Sequence, residues 1–328
     1  MTKPSGEFIA RAVLALVVYV VLAALMPNFH SAVGIAALLD GSVMTGLVAV
    51  GVGLTMIAGE LDMSVGSMAA LASVCVVKLV GLGIGVIPAL AFVVTGAAAF
   101  GAAQGLAITF LNINSLVFTV GTLIGLRGVA LIAANETTPT LPLDMLSISD
   151  AVSSRYWIFS PLSAAMLISF ALAGLFASRT IWGREIYAIG GGRTESRAAG
   201  VPQRRPIVLA FAAAAGFAAF AGGLISIRSG SASPLGFEAV LLEAVAACLI
   251  GGVVLDGGKG GFLGILIGVF TIRLVITGMA SLGAPFWAQN LVVGLLLIFV
   301  IVAEAVSAAL ARRRTRTRRR SAEAYSRS

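Results

Sequence analysis

The chain has 328 residues, of which 59% are hydrophobic and only 11% are charged, and its formal net charge is +8 at pH 7. Soluble domains usually carry about 45–50% apolar and about 25% charged residues, and a soluble fold of this length could not bury so much apolar surface. The composition, with 39 glycines that let helices approach closely, predicts an all-α polytopic membrane protein and excludes an ordinary soluble enzyme.

A helix that spans a membrane needs about 20 mostly apolar residues. Ten stretches of the chain are apolar over a comparable length and predict about ten spanning helices. They lie at 9–27, 43–58, 62–82, 86–111, 115–134, 158–177, 206–227, 238–254, 260–280 and 287–308. The first is long, and the MPNFHS that follows it lacks a small-x-small cleavage pattern. It is therefore interpreted as a helix and not as a cleaved signal peptide.

The positive charges predict the orientation of these helices, because lysine and arginine collect in cytoplasmic loops. Most of the 22 lysines and arginines lie at the start of the chain, in 178–206 and in 311–328. An even number of predicted helices separates these segments, so we expect them and both termini in the cytoplasm, and the acidic loop 135–157 outside. The tail RRRTRTRRR directly follows the last helix, which favours a contact with anionic lipid over nucleic-acid binding.

Residues 59–67, GELDMSVGS, place two carboxylates between the second and third predicted helices. A carboxylate at membrane depth costs a few kcal/mol, so Glu60 and Asp62 require an explanation. In one interpretation Asp62 caps the helix 62–82, and Glu60 faces water or a basic partner. In the other, both carboxylates and Ser64 line the substrate path or a gate. Since residues two apart do not share a helix face, a shared proton is not expected.

A similar segment, GGVVLDGGKGG, lies near the eighth predicted helix. Leu-Asp-x-x-x-Gly occurs at 61–66 and again at 255–260, an offset of 194 residues that suggests a weak internal repeat. Paired hydrophobic segments interrupted by glycine point to the pathway of a transporter. Gly66 therefore joins the candidate path residues.

Several motifs that would indicate catalysis are incomplete. A phosphate loop needs an earlier glycine and a Ser or Thr after the lysine, but these positions hold Val253 and Gly260. Cys75 and Cys248 fall inside predicted helices as small packing residues. The single His30 cannot by itself form a zinc site or a catalytic triad. The chain is not expected to hydrolyse ATP or to be an enzyme.

Residues 110–122, FLNINSLVFTVGT, surround the start of the fifth predicted helix. Amide groups and aromatic faces suit the hydroxyls and the apolar face of a sugar, so Asn112, Asn114, Phe118 and Thr119 are candidates for the path. The alternative is that the asparagines cap helix ends, which is their commoner role at such boundaries.

Arg127 and Arg273 lie within apolar stretches. We expect each to extend outward to water or to pair with a carboxylate such as Glu238, and we assign neither a role in substrate binding. Glu243, in the eighth predicted helix, is a further acidic candidate for the path or gate.

Three segments together resemble the signature regions of permease subunits of bacterial ABC importers of the ribose, xylose, arabinose and galactose type. They are GELDMSVGSMAAL, GREIYAIGGGRTESRAAGV and EAVAACLIGGVVLDGGKGGFLGILIGV. The likeness extends over nearly the whole chain, to PFWAQNLVVGLLL at 285–297. That family usually has glycine where Glu60 stands, aspartate where Glu243 stands and serine where Asp256 stands.

The resemblance implies a multi-pass subunit of the bacterial inner membrane that works with a cytoplasmic ATPase and an external solute-binding protein. It also implies a dimer with a second copy or a close relative. ATP and magnesium would be bound by the ATPase, so no cofactor is expected in this chain. Residues 1–310 would form the permease domain, residues 311–328 a basic cytoplasmic tail, and the cargo would be a monosaccharide or a similar small polar solute.

Within the loop 178–206, TESRAAGVPQRRP resembles the short coupling helix by which importer permeases dock into the ATPase. Thr194 can cap such a helix, and Gly200 followed by Pro202 would end it. The alternative is an ordinary basic loop that only sets the topology. The residues assigned to coupling are Glu195, Ser196, Arg197, Ala198, Ala199 and Gly200.

Two other classes of function are alternatives to an ABC permease. A proton-coupled secondary transporter would use Glu60, Asp62 or Glu243 as the proton carrier and would work without an ATPase. An intramembrane enzyme would need paired catalytic groups, and the single histidine and the staggered carboxylates argue against it.

Overall fold

The structure, a computed structural model, describes residues 6–25 and 29–302. Over these ranges the backbone forms helices and no strand, and the β-bridges in them are isolated pairs, Thr140 with Ser231 and Tyr156 with Phe159. The all-α fold class is confirmed. The basic tail 311–328 and Lys3 lie outside the described residues.

The helices follow one another along the chain with short connections. In chain order they are α1 Gly6–Leu25, α2 Ala32–Ile57, α3 Val65–Gly81, α4 Val86–Leu111, α5 Ser115–Ala134, α6 Leu146–Ser153, α7 Pro161–Arg179, α8 Ile181–Gly191, α9 Arg193–Ala198, α10 Arg205–Ser229, α11 Glu238–Ile250, α12 Phe262–Ser281 and α13 Phe286–Val302. A short 3-10 turn, Leu143–Met145, precedes α6.

Six of the described helices are long and apolar enough to cross a membrane, namely α2, α4, α5, α7, α10 and α12. Shorter apolar helices occur at Arg11–Leu25, in α3 and in α13, and α11 has only 13 residues. These lengths are those of a polytopic membrane protein. A helix lies at each of the ten predicted stretches, while the crossing of the membrane by all ten, the orientation and the repeat remain predictions.

One predicted helix start is wrong. α2 begins at Ala32 and not near 43, because the polar groups in its first half are satisfied inside the protein. The Asp40 carboxylate is paired with Arg155, and the Ser42 hydroxyl donates to the carbonyl of Leu38 at 2.7 Å. α3 begins at Val65, three residues after the predicted start, and α7 at Pro161 is displaced by the same amount.

The core is built around α10, which packs against α2, α3 and α4. Small residues allow the close approach: a β-carbon at Gly51 of α2 would lie 2.7 Å from the Cα of Ala214 in α10. Large apolar side chains such as Ile87, Phe92 and Ile132 remain exposed on α4 and α5. Outward apolar side chains of this kind are expected on a surface that faces lipid.

The predicted orientation can be tested by labelling single cysteines. Asp144 and Thr194 are both exposed, the first beside α6 and the second in α9. In a chain without Cys75 and Cys248, a membrane-impermeant maleimide added to intact cells is expected to label Asp144→Cys and to miss Thr194→Cys. Permeabilised cells provide the control, in which both positions label. Labelling of 194 but not 144 in intact cells would contradict the orientation.

Candidate functional site

The segment assigned to coupling contains the short helix α9, Arg193–Ala198. Gly200, with φ +78°, ends it in a left-handed conformation that favours glycine. Thr194 does not cap it, because the cap position is Gly192 and Thr194 lies inside the helix; that prediction is wrong. Ser196 is buried, and its hydroxyl donates to the carbonyl of Arg193 at 3.0 Å. The other assigned residues, Glu195, Arg197, Ala198, Ala199 and Gly200, are exposed.

The α2–α3 connection, residues 58–64, meets α9 through Glu60. The Glu60 carboxylate forms an ion pair with the guanidinium of Arg193. The side chain of Glu60 is 8% exposed, whereas that of Arg193 is 54% exposed. Of the alternatives considered for Glu60, the structure thus shows a basic partner, and it lies in the segment assigned to coupling.

Asp62 lies in the same connection and is fully buried. Its Oδ1 accepts hydrogen bonds from the backbone N–H of Ser64 at 2.9 Å and from the Ser64 hydroxyl at 2.6 Å. Its Oδ2 has no hydrogen-bond partner in the part of the chain that the structure describes. The cap residue of α3 is Ser64. Asp62 therefore stabilises the turn before α3, and of its two interpretations the one in which it caps the helix is wrong.

A polar contact joins this connection to α5. The N–H of Met63 donates to the Thr119 hydroxyl oxygen at 3.1 Å, and that hydroxyl donates to the carbonyl of Ser115 at 2.8 Å. Gln104 of α4 lies 3.4 Å from the Ser64 hydroxyl and donates to the Thr122 hydroxyl at 2.7 Å. Thr119 is thus buried among backbone partners.

The two asparagines have the capping role that was the alternative to a sugar contact. Asn114 precedes α5, and its side-chain oxygen accepts from the N–H groups of Leu116 and Val117 at 2.9 and 3.3 Å. Asn112 ends α4 with φ +53°. Phe118 packs against an apolar cluster that includes Phe211 of α10.

A cavity of about 710 Å³ lies where the α2–α3 connection, the α4–α5 turn, α9 and the start of α10 meet. Three of the residues predicted for the path line it, namely Glu60, Asn112 and Asn114. Three arginines give it a positive lining: Arg193, Arg197 and Arg204. The guanidinium of Arg204 also stacks 3.9 Å from the ring centre of Phe110. The lining is therefore polar and carries more positive than negative charge.

Glu243 and Gly66 lie elsewhere. Glu243 accepts a hydrogen bond from the Thr45 hydroxyl at 2.6 Å and lies 3.4 Å from Arg273. A β-carbon at Gly66 would lie 2.9 Å from the carbonyl oxygen of Phe237, so glycine is needed for this approach. Neither residue lines the cavity.

Both arginines in apolar stretches have acidic partners, as expected. Arg127 pairs with Glu238 at 2.6 Å, and Arg273 pairs with Glu243. Within the described residues, no three His, Cys, Asp or Glu side chains come together in a possible metal site.

The two segments with the Leu-Asp-x-x-x-Gly pattern touch each other and the end of α8. The N–H of Gly258 donates to the carbonyl of Ile57 at 2.8 Å. A β-carbon at Gly257 would lie 2.7 Å from the Cα of Gly59 and 3.0 Å from that of Gly190. The Tyr187 hydroxyl of α8 donates to the carbonyl of Gly260 at 3.0 Å. The two segments therefore form one junction of closely packed backbone.

A charged cluster around Asp40 was not predicted from the sequence. Asp40 is 5% exposed and is contacted by Arg155 at 2.9 Å, by Arg228 at 3.5 Å and by the Ser160 hydroxyl at 2.5 Å. The available signal was an acidic residue within an otherwise apolar run of α2. The sequence could not identify the partners, because they come from distant segments.

Asp62→Asn is expected to keep the fold. The amide oxygen can still accept both bonds from Ser64, and the amide nitrogen replaces an oxygen without a partner. Asp62→Ala removes the acceptor and is expected to cost about 1–3 kcal/mol. The measurement is the thermal unfolding midpoint of each purified variant in detergent, compared with that of the wild type. A larger loss for Asp62→Asn than for Asp62→Ala would contradict this role.

The sequence is similar to those of several known proteins. A family described as branched-chain amino acid transport system / permease component matches residues 34–301. Inner membrane ABC transporter permease protein YjfF of Escherichia coli K12 is 34% identical, covering 84% of this chain and 85% of its own. Autoinducer 2 import system permease protein LsrC of Enterobacter sp. strain 638 is 31% identical, covering 89% and 84%. Ribose import permease protein RbsC of Bacillus subtilis strain 168 is 28% identical, covering 91% and 92%. No solved structure matches the chain significantly.

Proposed function

Because the chain belongs to the family of branched-chain amino acid transport system permease components, we propose that it forms the membrane path of an ATP-driven importer for a monosaccharide or a similar small polar solute. It is a multi-pass protein of the inner membrane and a permease subunit, not an enzyme. The names of two relatives, a ribose and an autoinducer 2 import permease, support a small polar cargo.

The observation that carries the proposal is the exposed helix α9 beside a polar cavity. A helix that docks into a partner must present its side chains, and α9 leaves only Ser196 buried. The ATPase would bind ATP and magnesium on the cytoplasmic side and move α9. An external binding protein would deliver the solute, and a second permease copy or a paralogue would complete the path within the lipid bilayer.

The candidate path residues then divide into two groups. Glu60, Asn112 and Asn114 line the cavity that we assign to the path or its gate. Five others hold the surrounding helices in place through the contacts described above, namely Asp62, Ser64, Gly66, Phe118 and Thr119. Glu243 is a gate residue only if the α2–α11 contact opens during the cycle.

The proton-coupled alternative has less support. Glu60 is paired with Arg193 and Glu243 with Arg273, so each of these carboxylates has a cationic partner. The free Oδ2 of Asp62 is the one observation in its favour.

The experiment is transport into proteoliposomes loaded with ATP that contain this chain and its ATPase. Labelled ribose, xylose, arabinose and galactose are the probes. Uptake of at least one sugar is expected to require the ATPase, ATP and the binding protein, and to survive a protonophore. The chain purified alone is expected to hydrolyse no ATP. Uptake without the ATPase that a protonophore abolishes would overturn the proposal in favour of the alternative.

A further inference from the structure

The α2–α3 connection contacts α9, α5 and the segment that follows α11, in addition to α4 and the end of α8. Glu60 pairs with Arg193 of α9, and the N–H of Met63 bonds to Thr119 of α5. On its other side, Gly59 packs against the segment that follows α11, where Asp256 and Gly257 lie. A displacement of this connection therefore reaches α5 and the segment that follows α11 directly.

Helix α9 has few polar contacts by comparison. Within the described residues, Ser196 donates to the carbonyl of Arg193 and accepts from Gln203, a short distance beyond the end of the helix. The ion pair with Glu60 is the polar contact that ties α9 to a distant segment, 133 residues away in sequence.

The burial of Glu60 makes this ion pair harder to break than an ordinary surface pair. The Glu60 side chain is 8% exposed, and a largely buried carboxylate that loses its cation is left uncompensated in a poorly solvated site. Arg193 is half-exposed and can move with α9 while it holds the carboxylate. Arrangements in which α9 and the connection separate are therefore disfavoured.

We infer that Glu60 and Arg193 are positioning residues that transmit the movement of α9 to the α2–α3 connection, and through it to α5 and the segment that follows α11. This inference rests on the proposed function, since it needs an ATPase that moves α9. It adds a role in coupling to the place of Glu60 in the lining of the cavity.

The test is a charge swap in the full complex of permease, ATPase and binding protein. Glu60→Arg, Arg193→Glu and the double variant are compared with the wild type for sugar uptake and for ATP hydrolysis. Each single reversal is expected to lower the uptake per ATP hydrolysed about tenfold, while the complex still assembles and hydrolyses ATP. The double variant restores the ion pair with its charges exchanged. Its uptake per ATP hydrolysed is expected to lie within about threefold of the wild-type value.

The matched control is the pair Glu185–Arg205, which joins α8 to α10 at 2.7 Å and does not touch the connection. The corresponding charge reversals, Glu185→Arg and Arg205→Glu, are expected to leave the uptake per ATP hydrolysed unchanged, even if less complex assembles. Where a reversal prevents assembly, Glu60→Gln and Arg193→Gln are measured instead, with a loss of about threefold expected.

The results separate this inference from the proposed function. If the wild-type complex transports but the single variants match it, or if the double variant is no better than the single ones, the link is wrong and the function stands. If the wild type shows no ATP-driven uptake of any probe, the proposed function fails, and the link fails with it.

Discussion

Gly190→Ala is expected to prevent correct folding, whereas Gly191→Ala, one residue later in α8, is expected to leave the protein folded and at least as stable. A β-carbon at 190 would overlap the carbonyl oxygen of Ile57 and lie 2.5 Å from the backbone nitrogen of Gly258. These two atoms share the hydrogen bond that joins the segments on either side, so the backbone itself must shift. Overpacking of this kind costs about 3 kcal/mol or more when backbone must move. At 191 there is no atom within 4 Å of the new carbon.

The comparison of neighbouring positions removes the effect of helix propensity. Both residues lie in the last turn of α8, and alanine is favoured over glycine in a helix by about 1 kcal/mol at either place. The measurements are the amount of protein in the membrane, its monodispersity in detergent and its thermal unfolding midpoint. Equal values for the two variants would show that the contacts of Gly190 with Ile57 and Gly258 are not close enough to exclude a methyl group.

Asp40→Ala is expected to have the second largest effect, a loss of about 3 kcal/mol in the free energy of unfolding. The buried carboxylate holds together α2, the segment before α7 and the end of α10. Its removal leaves two guanidiniums without an anion and the Ser160 hydroxyl without its acceptor at 2.5 Å. We take the lower end of the range for a buried pair, because Arg155 and Arg228 are 38% and 33% exposed and can reach water.

The partners give graded controls for this prediction. Arg155→Met is expected to cost less than Asp40→Ala, because Arg228 remains 3.5 Å from the carboxylate. Asp144→Ala, at an exposed acid beside α6, is expected to change the free energy of unfolding by less than about 0.5 kcal/mol. Thermal unfolding in detergent ranks the three variants. An Asp40→Ala protein as stable as Asp144→Ala would mean that the cluster does not hold the three segments together.

For Glu60 and Asp62, the local sequence predicted the need for a partner but not which partner it is. The pattern GELDMSVGS indicated that Glu60 needs water, a path or a basic partner, and the structure selects Arg193 as that partner. The same pattern suggested a cap at Asp62, but the helix begins three residues later, and the carboxylate bonds to Ser64 instead. Local sequence limits the chemistry that a side chain can take part in, while the choice among partners depends on segments far along the chain.

The sequence by itself determined the class of the protein, its apolar helices and the ends that local residues set. The predicted bounds 86–111 and 115–134 are those of α4 and α5. Asn112 ends α4 because its backbone takes a left-handed conformation, and Asn114 begins α5 because its side chain accepts hydrogen bonds from the first N–H groups of that helix. Only the tertiary structure decided the start of α2, the partner of Glu60 and the junction at Gly190. Each depends on a contact between distant segments, such as Asp40 with Arg155, 115 residues apart. A buried carboxylate is stable only beside its cation, and a glycine is required only where another segment packs against it. The periodicity of the sequence does not indicate which distant segment that is.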